Sequence, residues 1–207
     1  MAAVAPQHFS YDSKPPAYTP TAGPLTFNLD NPIKKIFTTS RALEISTPDT
    51  LYPPILASFH SGCGSSPNIE FSKNSRPLAT VNFHSFSSTT DIVFSSGLST
   101  PLKGSAFSRK CTMNLSGREY TWKHHSEGMF HTGGWQLIDG GGSVVAYLRK
   151  KVLEVYVPGL PEEMLDAIVV TAVTMAEKER RAQQQSATSA SAAAASSASA
   201  SAAASSC

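Results

Sequence analysis

The sequence predicts a single α+β domain, with about a dozen short antiparallel strands closed around one hydrophobic helix near the C-terminus. Three observations predict it. Between residues 25 and 158, apolar side chains recur at every second position in run after run. Clusters of Gly, Pro, Asn and Ser punctuate those runs. The alternation then stops at MLDAIVVTAVTMAEKERR (164–181), which is apolar almost all round a helix before turning abruptly charged. A chain of 207 residues suits one domain or two small ones, and 41% hydrophobic residues permit a real core.

Taken in order, residues 1–24 hold Pro6, Pro15, Pro16, Pro20 and Pro24 and nothing periodic. Such a segment buries too little apolar surface to offset its ordering entropy, so it reads as a disordered arm. LTFNLD then sets Leu25, Phe27 and Leu29 on one face, and ATVNFHSF does the same with Ala79, Val81 and Phe83. REYTWK pairs Tyr120 with Trp122, and GWQLID pairs Trp135 with Leu137. SVVAYLR sets Val145 and Tyr147 against Val144, Ala146 and Leu148, and LEVYV aligns Leu153, Val155 and Val157. Period two over such lengths marks half-buried strands. Turns are expected at Asn31-Pro32, Gly62-Cys63-Gly64, Ser116-Gly117, Gly133-Gly134 and Gly140-Gly141-Gly142. The triple glycine lies between two strand patterns and not before a helix, so it reads as a hairpin loop and not a phosphate cradle. The strand pattern alone allows a barrel or a sandwich.

The helix narrows that choice. Its apolar part, 164–176, is thirteen residues including Asp166, Thr171 and Thr174, whereas a span needs ~20. Those three polar residues cluster about one side, and the rest is apolar, so the helix is expected to be buried on most of its circumference. Pro161 suits the first turn, and Glu162 and Glu163 complement the dipole there. Lys178, Arg180 and Arg181 suit the far end, giving an expected helix over 162–180 plugged through a closed sheet. Residues 184–207 are almost only Ser and Ala and read as a disordered or weakly helical low-complexity tail.

The residues Tyr120-Thr121-Trp122-Lys123, the strand Trp135–Ile138, Val145-Ala146-Tyr147, Leu153-Glu154-Val155 and the helix Leu165-Asp166-Ala167-Ile168-Val169-Val170-Thr171-Ala172 carry a family resemblance. They resemble the tubby C-terminal-like superfamily, which includes tubby, phospholipid scramblase and LURP-one-related proteins. More narrowly, the chain resembles a family of uncharacterised fungal proteins assigned that fold. The resemblance covers about residues 25–183, and the Ser/Ala tail departs from it. It implies a barrel of roughly twelve strands around a hydrophobic C-terminal helix. It also implies contact with anionic phospholipid, because tubby domains bind phosphoinositides and scramblases act on bilayers. It carries no lipid-binding residue over position by position, and the narrow family supplies no activity.

Enzyme motifs are absent: the sequence has no G-x-S-x-G, H-E-x-x-H, Walker loop or G-x-G-x-x-G. The densest metal-competent cluster is His124, His125, Glu127 and His131. Its irregular spacing is that of ordinary solvated loop histidines, so neither a metal nor a cofactor is expected. Cys63 near His60 sits in a Gly/Ser loop that guarantees no base and no electropositive setting for a thiolate. The enzymatic rival is therefore a rim or surface site built from His60, Cys63 and the 124–131 histidines. Cys111 and Cys207 complete an odd set of cysteines without C-x-x-C, which argues against a disulfide framework. Cys207 is not within a C-a-a-X signal. The N-terminus lacks a secretory pattern, and an intracellular location, cytoplasmic or at a membrane periphery, is expected.

Charge is more informative. Only 15% of residues are charged and the net charge is +2, yet residues 103–151 carry Lys103, Arg109, Lys110, Arg118, Lys123, Arg149, Lys150 and Lys151 against Glu119, Glu127 and Asp139. This basic region suits an anionic membrane surface. Its bland counterpart is a solvated face of lysines on a protein-interaction scaffold. Nucleic acid fits less well, for no aromatic stacking motif accompanies the charge. Finally, Pro15, Pro16 and Tyr18 form P-P-x-Y in the arm. That is a WW-domain ligand, because paired prolines preform polyproline II and the tyrosine fills a second pocket. A ubiquitin ligase carrying a WW domain is the partner this suggests. The expected molecule is a non-enzymatic binding module.

Overall fold

The chain forms a closed barrel of twelve antiparallel strands with one helix inside it. In this computed structural model, residues 23–33, 41–48, 52–60, 67–84, 88–104, 110–125 and 133–203 are described, with side chains for all of these but 30–33 and 188–203. The strands are Leu25–Ile33 (β1), Arg41–Ser46 (β2), Ile55–Phe59 (β3), Ile69–Lys73 (β4), Arg76–Phe83 (β5) and Thr89–Phe94 (β6). Leu102–Gly104 (β7), Lys110–Leu115 (β8), Arg118–His125 (β9), Gly134–Asp139 (β10), Val144–Arg149 (β11) and Val152–Val155 (β12) follow. Each strand pairs with the next, and β1 pairs with β12 to close the ring. The helix, Glu162–Ala203 (α1), follows β12.

Alternation builds the wall. Phe27, Ile45, Ile55, Ala57, Ile69, Val81, Ile92, Leu102, Trp122, Leu137 and Leu153 are fully buried in one cluster. Residues 165–175 of α1 are all buried, and they fill the lumen that these side chains line. The apolar part of the helix is therefore core, as the shortness of that run implied. No helix among the described residues is long and apolar enough to cross a membrane. Thr171 and Thr174 satisfy their hydroxyls on the helix backbone, donating to Ile168 O at 3.1 Å and Val170 O at 2.7 Å. Trp122 Nε1 donates to Thr171 Oγ1 at 3.2 Å, fixing the middle of the plug to β9.

Three expectations are corrected. Asn31-Pro32 is not a turn: both residues lie in β1, opposite Glu44 and Leu43, just past a register shift between Asn28 and Asn31. A bulge is where a strand tolerates a proline that cannot donate to the ladder. The helix does not end near 180 but runs on to Ala203, so the Ser/Ala tail takes the helical of its two alternatives. Alanine has the highest helix propensity, and no Gly or Pro interrupts the run. The last turn consequently holds no cation, and Lys178, Arg180 and Arg181 have other work. The triple glycine is a hairpin loop, as expected. Asp139 Oδ1 accepts from Gly141 N at 3.0 Å and Ser143 N at 2.8 Å, so a carboxylate already occupies those donors.

Alternating strand direction sorts the loops between two ends. Helix α1 enters beside the starts of β1 and β5, where tight turns such as Asn74-Ser75 and Ser116-Gly117 join the strands in left-handed conformations (φ 51°, 60°, 52° and 78°). It leaves by the opposite mouth, beside Arg41, Phe83, Gly104, Lys110, His125, Gly134 and Arg149.

Candidate functional site

The entry end is an ionic lock. Lys73 Nζ lies 2.6 Å from both Asp166 Oδ1 and Glu162 Oε1 and 4.0 Å from the centre of the Tyr52 ring. The Tyr52 hydroxyl donates to Asp166, and its ring packs edge-on to Phe27. Burial first, then the Asp166 charge and hydrogen bond, push the phenol above its ordinary range. This end carries Lys73, Arg76 and Arg118 against Glu119, Asp139, Glu154, Glu162, Glu163 and Asp166, so carboxylates prevail. Arg118 accordingly stands apart from the other basic candidates, at the turn before β9.

The exit end is basic. Lys103, Lys110, Lys123, Arg149, Lys150 and Lys151 gather there, joined by Arg41, Lys178, Arg180 and Arg181, against Glu70, Asp91, Glu177 and Glu179. Arg109 lies outside the described residues, as do Pro15, Pro16, Tyr18, Cys63, Glu127, His131 and Cys207. On the outer face, Lys110 stands directly opposite Lys123, which stands opposite Gln136, which stands opposite Tyr147. Lys103, opposite Thr112, extends this row diagonally. Their chain neighbours Cys111, Trp122 and Leu137 face the core, which turns the lysines outward. Two like charges directly opposite each other in an antiparallel pair repel. Neither Lys110 nor Lys123 makes an ion pair with a described carboxylate.

Beside this pair, the Arg149 guanidinium lies 4.5 Å from the Tyr147 ring centre, and His125 meets the same ring edge-on at 6.2 Å. Gly134 makes room: a Cβ there would lie 2.7 Å from Tyr147 Cε1. The strip from β7 to β11 is thus cationic, aromatic and continuous.

The mouth itself is braced from within. Glu177, 2% exposed, accepts from Arg41 at 3.2 Å, Arg180 at 2.7 and 2.8 Å and Arg181 at 2.9 Å. Arg41 also stacks on Phe59, and Arg181 on Phe83. Burial alone would raise the Glu177 carboxyl. The hydrogen bonds from Arg180 and Arg181, with the Arg180 and Arg41 charges, outweigh it and hold the carboxyl below its ordinary 4.5. A depressed carboxyl contributes stability above the unfolded-state value that is lost as pH falls through the folded one. The stability gap between wild type and Glu177→Gln, from denaturant melts, should therefore shrink as pH falls below the ordinary 4.5 and through the lower folded-state value. A gap that widens toward acid would contradict this.

The rival enzyme site does not assemble from the described residues. His124 and His125, as neighbours on β9, point to opposite faces: His124 packs on Trp135 inside at 5.3 Å, and His125 on Tyr147 outside. They cannot share one metal, and no group of three His, Cys, Asp or Glu among the described residues could hold one. His60 Nε2 lies 3.4 Å from Glu70 without forming a hydrogen bond. Cys111 is buried, and burial raises its thiol against the opposing charge of Lys178.

A helix-plugged, twelve-stranded barrel with a carboxylate-rich entry and a basic exit defines the class of protein. The chain belongs to a family of unknown function (DUF6593), whose model matches residues 31–182. No curated protein and no solved structure matches it.

Proposed function

We propose that the protein is a non-enzymatic binding module of the tubby-like type that docks on anionic phospholipid at a membrane surface through its exit end. The observation that carries this reading is the strip Lys103–Lys110–Lys123 continuing to Arg149–Lys150–Lys151. Lysines that repel one another across a ladder are stabilised by an anionic surface, which contributes ~1 kcal/mol per well-placed cation. The barrel superfamily that the chain resembles includes lipid-binding members, which supports the same reading. In this account the arm, through Pro15, Pro16 and Tyr18, recruits a WW-domain protein such as a ubiquitin ligase to the intracellular membrane face. A protein scaffold with a merely solvated basic face is the other reading.

Vesicle co-sedimentation of the full chain separates them. Binding to phosphoinositide-containing vesicles, absent with neutral ones, should weaken with salt. Lys110→Ala with Lys123→Ala should weaken it ~30-fold, at ~1 kcal/mol per cation. Arg118→Ala, at the opposite end, should leave it unchanged. Equal losses from both variants would defeat the assignment of the face, and no binding at low salt would favour the scaffold.

A further inference from the structure

Where α1 leaves the barrel, a cavity of about 520 Å³ opens between the helix and the wall formed by β1–β3 and β10–β11. That volume falls within the ~300–1,000 Å³ of small-molecule sites. Its floor is apolar: Leu29, Phe59, Trp135, Leu148 and Val173. Its rim is charged and carries Arg41, Lys150, Lys151 and Arg180, together with Glu177 and Glu179. The two carboxylates are engaged, Glu177 by Arg41, Arg180 and Arg181, and Glu179 by Trp135 Nε1 at 3.1 Å. Arg41 and Arg180 share Glu177 in turn, so it is the excess of four cations over two carboxylates that makes the rim favour an anion over a cation, above walls that favour hydrocarbon.

A second, independent feature marks the same rim. Lys150 begins the two-residue turn between β11 and β12 with φ 51°. Gly or Asn takes that left-handed conformation readily, and a lysine does not. Backbone strain of this kind gathers at functional sites, where the side chain is worth its conformational cost.

We propose that this cavity binds one single-chain anionic amphiphile, its acyl chain against the floor and its carboxylate or phosphate head among Arg41, Lys150 and Lys151. The inference goes beyond vesicle docking and does not depend on it, because such a ligand can arrive from water as a monomer. The chain half is selected by Phe59, Leu148 and Val173 and the head half by the cations, so neither an alcohol nor a cationic amphiphile of equal length satisfies both.

Calorimetric titration of the full chain tests this, with dodecanoate, dodecyl phosphate, dodecanol and dodecyltrimethylammonium, the three ions kept below their micelle concentrations and the alcohol below its solubility limit. Saturable one-to-one binding of at least one anionic probe is expected, and the stronger of the two identifies the head. Dodecanol and the cation should bind ~10-fold more weakly or not at all, the scale of one lost charge contact. Ala176→Phe, which projects a ring into the cavity from α1, should abolish binding. Should that variant fold poorly, Lys150→Gly decides: it relieves the turn, so its melting temperature should hold or rise while affinity for the anionic probe falls severalfold. Absence of saturable binding, equal binding of all four probes, or full affinity in a folded Ala176→Phe or in Lys150→Gly would overturn the proposal. Vesicle binding is read in a separate assay, so failure of either idea leaves the other standing.

Discussion

Asp166→Ala should destabilise the barrel by about 3 kcal/mol, the lower end of the ~3–5 kcal/mol lost when one partner of a buried ion pair is removed. Asp166 is the shared acceptor of Tyr52 and Lys73, and all three side chains are buried. Without it, Lys73 keeps only the half-exposed Glu162 and the Tyr52 ring, which places the cost at the lower end. The Tyr52 hydroxyl loses its acceptor altogether. Replacing all three groups together, by Tyr52→Phe, Lys73→Met and Asp166→Leu, leaves nothing polar to strand and should cost less than the single change. Equilibrium urea melts of both variants check the order. A triple variant weaker than Asp166→Ala would mean that the lock contributes specific attraction beyond satisfying itself.

Trp122→Ala should cost about 3–5 kcal/mol, the range for truncating a buried large aromatic. Trp122 is fully buried, stands between Cys111 and Leu137 on the neighbouring strands, and reaches Thr171 in the middle of the plug. Closed barrel and helix cannot both collapse onto the vacated space, so a cavity remains. Trp122→Phe keeps most of the apolar area and loses one neutral hydrogen bond, about 1 kcal/mol. Thr171 still donates to Ile168 O, so nothing polar on the helix is stranded. Comparable losses in the two variants would place the weight on the hydrogen bond and not on packing.

The wall and plug were legible because each follows a local period. Leu25, Phe27 and Leu29 alternate, and 165–175 is apolar on most sides of a helix. What escaped depends on register or on sequence-distant partners. The proline at 32 reads as a turn until the bulge after Asn28 is seen to admit it to β1. No local period in the run 103–151 says that Lys110 and Lys123 are neighbours while Arg118 stands at the other end. Tracking strand direction through an up-and-down barrel would have made that separation visible, since each hairpin reverses the end that a residue faces. The same bookkeeping would have brought Arg41 to Arg180 and Arg181, which were missed because Glu177 joins them across most of the chain. Read along the helix alone, those arginines look like complements to its dipole.

The location of the binding face is tested most directly by a polarity-sensitive fluorophore on single cysteines, at Gln136→Cys in the strip and Ser143→Cys at the entry end. Cys63 and Cys207 would be replaced by Ser, and Cys111 is buried. On adding phosphoinositide-containing vesicles, the Gln136 probe should brighten and shift to the blue, and the Ser143 probe should not change. Brightening at Ser143 with a silent Gln136, in protein that sediments with the vesicles, would contradict docking through the basic exit end.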